Sequence, residues 1–133
     1  MLCEMKIYYK HMQSTSYVFI AGGMGITPFR SIIASALKKN KELLVILIHC
    51  VSEKEALLFE ELFWEADRKI GLVYVPLVGT RLSKKILDKH IPHLKDHIYY
   101  LSGSEKFIGA VREILRKAEI DEEQMKTDIF SGY

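Results

Sequence analysis

Five short runs rich in β-branched and aromatic residues alternate with four longer stretches whose apolar residues fall at helical spacing. No other feature of the chain constrains its fold as much. The runs are YVFIA (17–21), LLVILIHC (43–50), GLVYVPLV (71–78), HIYYLSG (97–103) and the more polar QMKTDIF (124–130). They read as strands. Between them, PFRSIIASALKK (28–39), KEALLFEELFWEADRK (54–69), SKKILDKHI (83–91) and EKFIGAVREILRKA (105–118) read as helices. Ser83 is placed to cap the third. Phe63 and Trp64 of the second are expected to be buried packing residues. Strands that alternate with helices predict an α/β fold with right-handed crossovers. The expected architecture is a doubly wound five-stranded parallel sheet with helices on both faces.

At 133 residues the chain suits one domain that buries about two-thirds of its unfolded surface. That domain is expected over residues 16–133. Residues 1–15 (MLCEMKIYYKHMQST) have no clear period and read as a leader or the remnant of an upstream region. A net charge of +2, with basic residues scattered, gives no reason to expect nucleic acid or a membrane surface as partner. No apolar segment reaches the roughly 18 residues of a membrane span, and the first residues lack the apolar stretch of a signal peptide. Cys3 and Cys50 make neither a disulfide framework nor a metal site, and Cys50 ends an apolar run as a reduced, partly buried thiol. A cytoplasmic location is expected. The five histidines do not cluster with carboxylates at metal spacing, so no metal is expected.

The first strand stops at GGMGITP, residues 22–28. In an open parallel sheet, ligands sit beyond the carboxyl ends of the strands, where these glycines fall. Glycine permits positive φ and lets a ligand or another backbone approach where a Cβ would intrude. A helix beginning near Pro28 directs free N–H groups and its positive dipole end to the same place. Thr27 can cap those donors, and Pro28 suits the first turn because it lacks an N–H. An anionic ligand is favoured, most simply a diphosphate. The pattern is Gly23-x-Gly25-x-x-Pro28 rather than G-x-G-x-x-G, so a tight turn that binds nothing is the competing reading of the glycines alone. A second strand-to-helix turn, Ser102-Gly103-Ser104, is expected on the same edge, where Ser104 alone reads as an N-cap.

GGMGITPFRSII, YYLSGSEKFIGAV and the terminal DIFSGY together resemble the pyridine-nucleotide-binding domain of the ferredoxin–NADP⁺ reductase superfamily, over residues 16–133. The resemblance implies that Gly23, Met24, Gly25, Ile26, Thr27 and Pro28 lie against the diphosphate and nicotinamide ribose of NAD(P)H. It implies that Ser102, Gly103 and Ser104 border the nicotinamide, although the family's usual proline at the third position is replaced by Ser104. Cys50, Ser52 and Glu53 match the stretch that meets the adenosine ribose. No basic residue stands there to grip a 2′-phosphate and Glu53 would repel one, which tilts the choice towards NADH. Lys54 and Arg81 are the residues able to reverse it. Phe130 and Tyr133 match the aromatic border of a flavin.

The family's Arg-x-Tyr-Ser/Thr flavin motif occurs nowhere in the chain. Hydride transfer needs reacting atoms held about 3–3.5 Å apart, so the FAD must sit on a missing or separate flavin-binding domain or subunit. The resemblance therefore implies the NAD(P)H-binding module of a flavin-dependent oxidoreductase, an α/β sheet with strand order 3-2-1-4-5. Electrons would pass on to an iron–sulfur carrier or another acceptor, with little or no turnover by this chain alone. A non-catalytic nucleotide-binding or regulatory module, and an unrelated α/β enzyme such as a methyltransferase, are the rival readings.

Overall fold

The computed structural model describes residues 16–129. β1 (Tyr17–Gly22) runs through a 3₁₀ turn (Gly23–Ile26) directly into α1 (Thr27–Lys38). β2 (Val45–Val51) leads by a second 3₁₀ turn (Lys54–Ala56) to α2 (Glu60–Lys69). Then come β3 (Val73–Val78), α3 (Lys84–His90), β4 (Ile98–Gly103), α4 (Glu105–Lys117) and β5 (Met125–Ile129). All four strand pairings are parallel, in the order β3-β2-β1-β4-β5. This is the predicted doubly wound sheet.

β1 to β4 are mostly apolar because both faces of the sheet are covered, whereas the edge strand β5 buries only Met125. Tyr17, Phe19 and Ala21 of the central β1 pack with Phe29, Ile32 and Ile33 of α1 and Phe63 and Ala66 of α2. Val18 and Ile20, pointing the other way, join Leu87 of α3 and Ile108, Val111 and Leu115 of α4. The first core is aromatic at its centre: Phe19 stacks on Phe29 at 4.4 Å between ring centroids, and Tyr100 meets Phe29 edge-on at 5.6 Å. Ser83 accepts from the Ile86 N–H at 3.3 Å, so it caps α3 as its sequence position predicts. Among the described residues no helix is long and apolar enough to cross a membrane.

Two expectations are corrected. The helix predicted over residues 54–69 begins only at Glu60, because Phe59 takes a left-handed conformation (φ 65°) that no α-helix contains. The kink lets Leu58 pack on the core while the Phe59 ring turns out beneath the Arg30 guanidinium, 4.9 Å from its centroid. Trp64, expected to be buried, is 39% exposed and meets Tyr74 edge-on at 4.8 Å, whereas its neighbour Phe63 is fully buried. Adjacent helical positions lie about 100° apart, so α2 turns only one of the two rings inward.

Candidate nucleotide-binding site

Strand register brings the sequence-predicted residues to one rim. Ala21 pairs with Ser102, Gly22 with Cys50 and Gly103 with Ile129, so β1, β2, β4 and β5 all end there. From β1 the chain crosses to β2 on one side, and β4 lies on the other. The rim between β1 and β4 is therefore the switch point at which open parallel sheets form a crevice.

The glycines of the turn do different jobs. Gly23 is exposed at φ 53°, and a Cβ placed on it would meet nothing within 4 Å, so this position opens onto free space. Gly25 is buried, and a Cβ there would stand 2.3 Å from the Ser102 carbonyl oxygen and 2.8 Å from the Gly103 Cα. Its bareness lets the two turns touch backbone to backbone. The Phe107 ring, at the start of α4, fills the Cβ positions of Gly22 and Gly103 on the other side.

Thr27 does not cap helix donors as expected. Its hydroxyl donates to the Met24 carbonyl at 3.0 Å, and its own backbone N–H goes to the same oxygen. The 3₁₀ turn feeds α1 without a break, so turn carbonyls take the amides that a cap would otherwise serve. The amides without an intrahelical partner shift to the start of the turn, at Gly23 and Met24. Met24 is 48% exposed, Thr27 is exposed, and Ile26 and Pro28 are buried beneath them.

At the second turn Ser104 is the N-cap of α4, its hydroxyl accepting from the Phe107 N–H at 3.1 Å. Ser102 is fully buried behind Gly25, and its hydroxyl has no partner among the described residues. Such an orphan is uncommon in a settled core. Beyond β2, Ser52 and Glu53 are exposed, as are Lys54 and Arg81 on the loops that follow β2 and β3. Burial pushes the Cys50 thiol up to about 12, so it stays protonated and unreactive near neutrality. Phe130 and Tyr133 lie outside the described residues.

Sequence reasoning missed His49 as part of the site. It is fully buried, and its Nε2 lies 2.9 Å from the Gly23 carbonyl oxygen. A carbonyl only accepts, so Nε2 carries the proton and Nδ1, which has no partner, is the bare nitrogen. Burial holds its pKa below the ordinary histidine value, against weaker upward pulls from the Gly23 carbonyl and Glu60. The available signal was one polar residue inside an apolar strand. The open Gly23 position, the unpartnered Ser102 hydroxyl and the exposed amide-bearing turn fit an extended dinucleotide lying across the rim.

The family model for the oxidoreductase NAD-binding domain matches residues 19–113. The flavohemoprotein of Candida albicans is 28% identical, over 87% of this chain and 32% of that protein. The chain thus spans about a third of the length of this curated relative. The flavohem-like FAD/NAD-binding domain of nitric oxide dioxygenase from Vibrio cholerae superposes with a TM-score of 0.74 at 20% identity, covering 88% of this chain and 52% of that one. Ferredoxin–NADP⁺ reductase from Plasmodium falciparum gives 0.66 at 17% identity, covering 91% and 56%. These two likenesses show the fold; the family model reaches from the middle of β1 into α4 and takes in both turns. The chain belongs to the oxidoreductase NAD-binding domain family, and its fold is that of the nucleotide domains of ferredoxin–NADP⁺ reductase-like proteins.

Proposed function

We propose that this chain binds NAD(P)H across the β1–β4 rim and presents it to an FAD held on a separate domain or subunit. The diphosphate lies along Gly23–Thr27, where the Gly23 and Met24 amides at the start of the turn and the open Gly23 position receive it. The nicotinamide lies toward Ser102, Gly103 and Ser104, and the adenosine end toward Cys50, Ser52 and Glu53. Ile26 and Pro28 support the turn from below. When bound, the nicotinamide supplies the hydride; the chain's own residues bind it, orient it and keep its reacting face toward the flavin domain. Cys50, neutral and half-buried, packs rather than reacts. A reducing compartment such as the cytoplasm suits it. From the flavin, electrons pass to an iron–sulfur protein or another acceptor.

The observation that supports this reading is the backbone contact between Gly25 and the Ser102–Gly103 turn, which brings both motifs together at one rim of the sheet. NADH is the expected donor, because the exposed Glu53 can accept from a ribose hydroxyl and would repel a 2′-phosphate. Calorimetric titration of the chain with NADH, NADPH and FAD separately tests this. Saturable NADH binding, weaker NADPH binding and no FAD binding are expected. NADPH binding tighter than NADH would reverse the cofactor preference, and binding of neither would remove the proposal. NADH binding without electron transfer after a flavin domain is supplied would instead favour a non-catalytic nucleotide-binding module.

A further inference from the structure

We infer that His49 is a positioning residue for the nucleotide turn, fixing which way the Gly23–Met24 peptide faces. The inference rests on the dinucleotide reading above. Gly23 sits at φ 53°, and nothing lies within 4 Å of the place a Cβ would take. Glycine at such a place passes between conformations at little cost, and the short 3₁₀ turn holds the following peptide only through the poorer i→i+3 hydrogen-bond geometry. The additional, rigidly placed hold is the 2.9 Å bond from the buried His49 Nε2–H to the Gly23 carbonyl oxygen. No cis peptide occurs among the described residues, so the carbonyl oxygen of Gly23 and the N–H of Met24 point in opposite directions. With the oxygen drawn inward to the imidazole, the Met24 N–H faces away from it, on the exposed side of the turn.

A rotated peptide would present the carbonyl oxygen there instead, and an oxygen repels a diphosphate. It would also strand the His49 Nε2–H as an unpaired donor in the core, beside an Nδ1 that already lacks a partner. His49 stands on β2, directly beside Ala21 of β1, so a rigid strand sets its position. It touches no ligand in this arrangement and acts through the peptide it holds.

The test uses the full chain, with His49→Leu to remove the donor and His49→Gln to restore one in nearly the same place. NADH affinity is measured by calorimetry, and the backbone amide of Met24 is followed by ¹⁵N nuclear magnetic resonance without ligand. The leucine variant is expected to bind NADH about tenfold more weakly, and the glutamine variant within about threefold of the parent. The Met24 amide signal should move in the first and return in the second. Equal affinity in the parent and the leucine variant, or an unmoved Met24 signal, would overturn the assignment, as would failure of glutamine to rescue. If the leucine variant does not fold, the imidazole ¹⁵N signals of the parent decide. A slowly exchanging proton on Nε2 supports the role, and a bare Nε2 rejects it. If the parent chain itself binds no NADH, the dinucleotide reading fails, while the Met24 comparison still judges the peptide-holding role.

Discussion

Two glycines separated by one residue make opposite demands, and substitution separates them. Alanine at Gly25 would place a methyl carbon 2.3 Å from a backbone oxygen that cannot move without shifting β4. Gly25→Ala is expected to lower unfolding free energy by about 3 kcal/mol or more, through forced separation of the two turns. Alanine at Gly23 meets no atoms and bears only the left-handed backbone cost, roughly 1–2 kcal/mol. Chemical denaturation of the two variants checks the order, and Gly23→Ala proving the more damaging would contradict it. Loss of NADH binding in a Gly25 variant is therefore ambiguous unless stability is measured beside it. Cys50 gives a second test at this scale. In a Cys3→Ser background the folded chain should react with iodoacetamide at pH 8 far more slowly than the same chain in denaturant, because burial keeps the thiol protonated. Equal rates would show that the β2 end is open to solvent.

At the scale of elements, the start of α4 couples helix stability to the crevice. Ser104 caps the helix through the Phe107 N–H, and the ring of that same Phe107 covers Gly22 and Gly103. Ser104→Ala should cost about 1 kcal/mol of stability, the usual worth of such a cap. Ser104→Asp should recover most of it, since aspartate caps equally well and its charge suits a helix N-terminus. Thermal melts of the three proteins check this; an alanine variant as stable as the parent would show that packing of Phe107 alone sets the helix start. α2 shows the reverse dependence. Its first turn is set by Phe59 and the Arg30 guanidinium of a different helix rather than by a cap of its own.

For the whole molecule, the two cores on either face of one sheet make the fold a single cooperative layer structure, and His49 lies within it next to the rim. Its folded pKa is lowered chiefly by burial, from a reference of 6.5. Below that pH the unfolded chain takes up a proton that the native chain refuses, so stability is held above pH 6.5 and declines as pH falls. Denaturant titrations at pH 7.5, 6.5 and 5.5 should show falling midpoints, and His49→Leu should flatten that slope. An equal slope in both proteins would assign the acid sensitivity to other groups.

The amino-acid sequence alone determined the five strands, the helices between them, their parallel sense and the two turns whose resemblance to nucleotide domains implied the strand order. These are local patterns of period and punctuation, and the rules for winding a parallel sheet leave few ways to assemble them. Tertiary structure decided which glycine faces space and which faces another backbone, because that depends on how closely β1 and β4 bring residues 25 and 102 together. It decided that the second helix starts at Glu60, since residues at the spacing of Leu58 and Leu62 can bury one face whether the chain between them is helical or kinked. It also decided the role of His49. A lone polar residue in an apolar strand has no legible partner until pairing with β1 sets it beside the turn, where burial and the need for an acceptor turn its ring to Gly23.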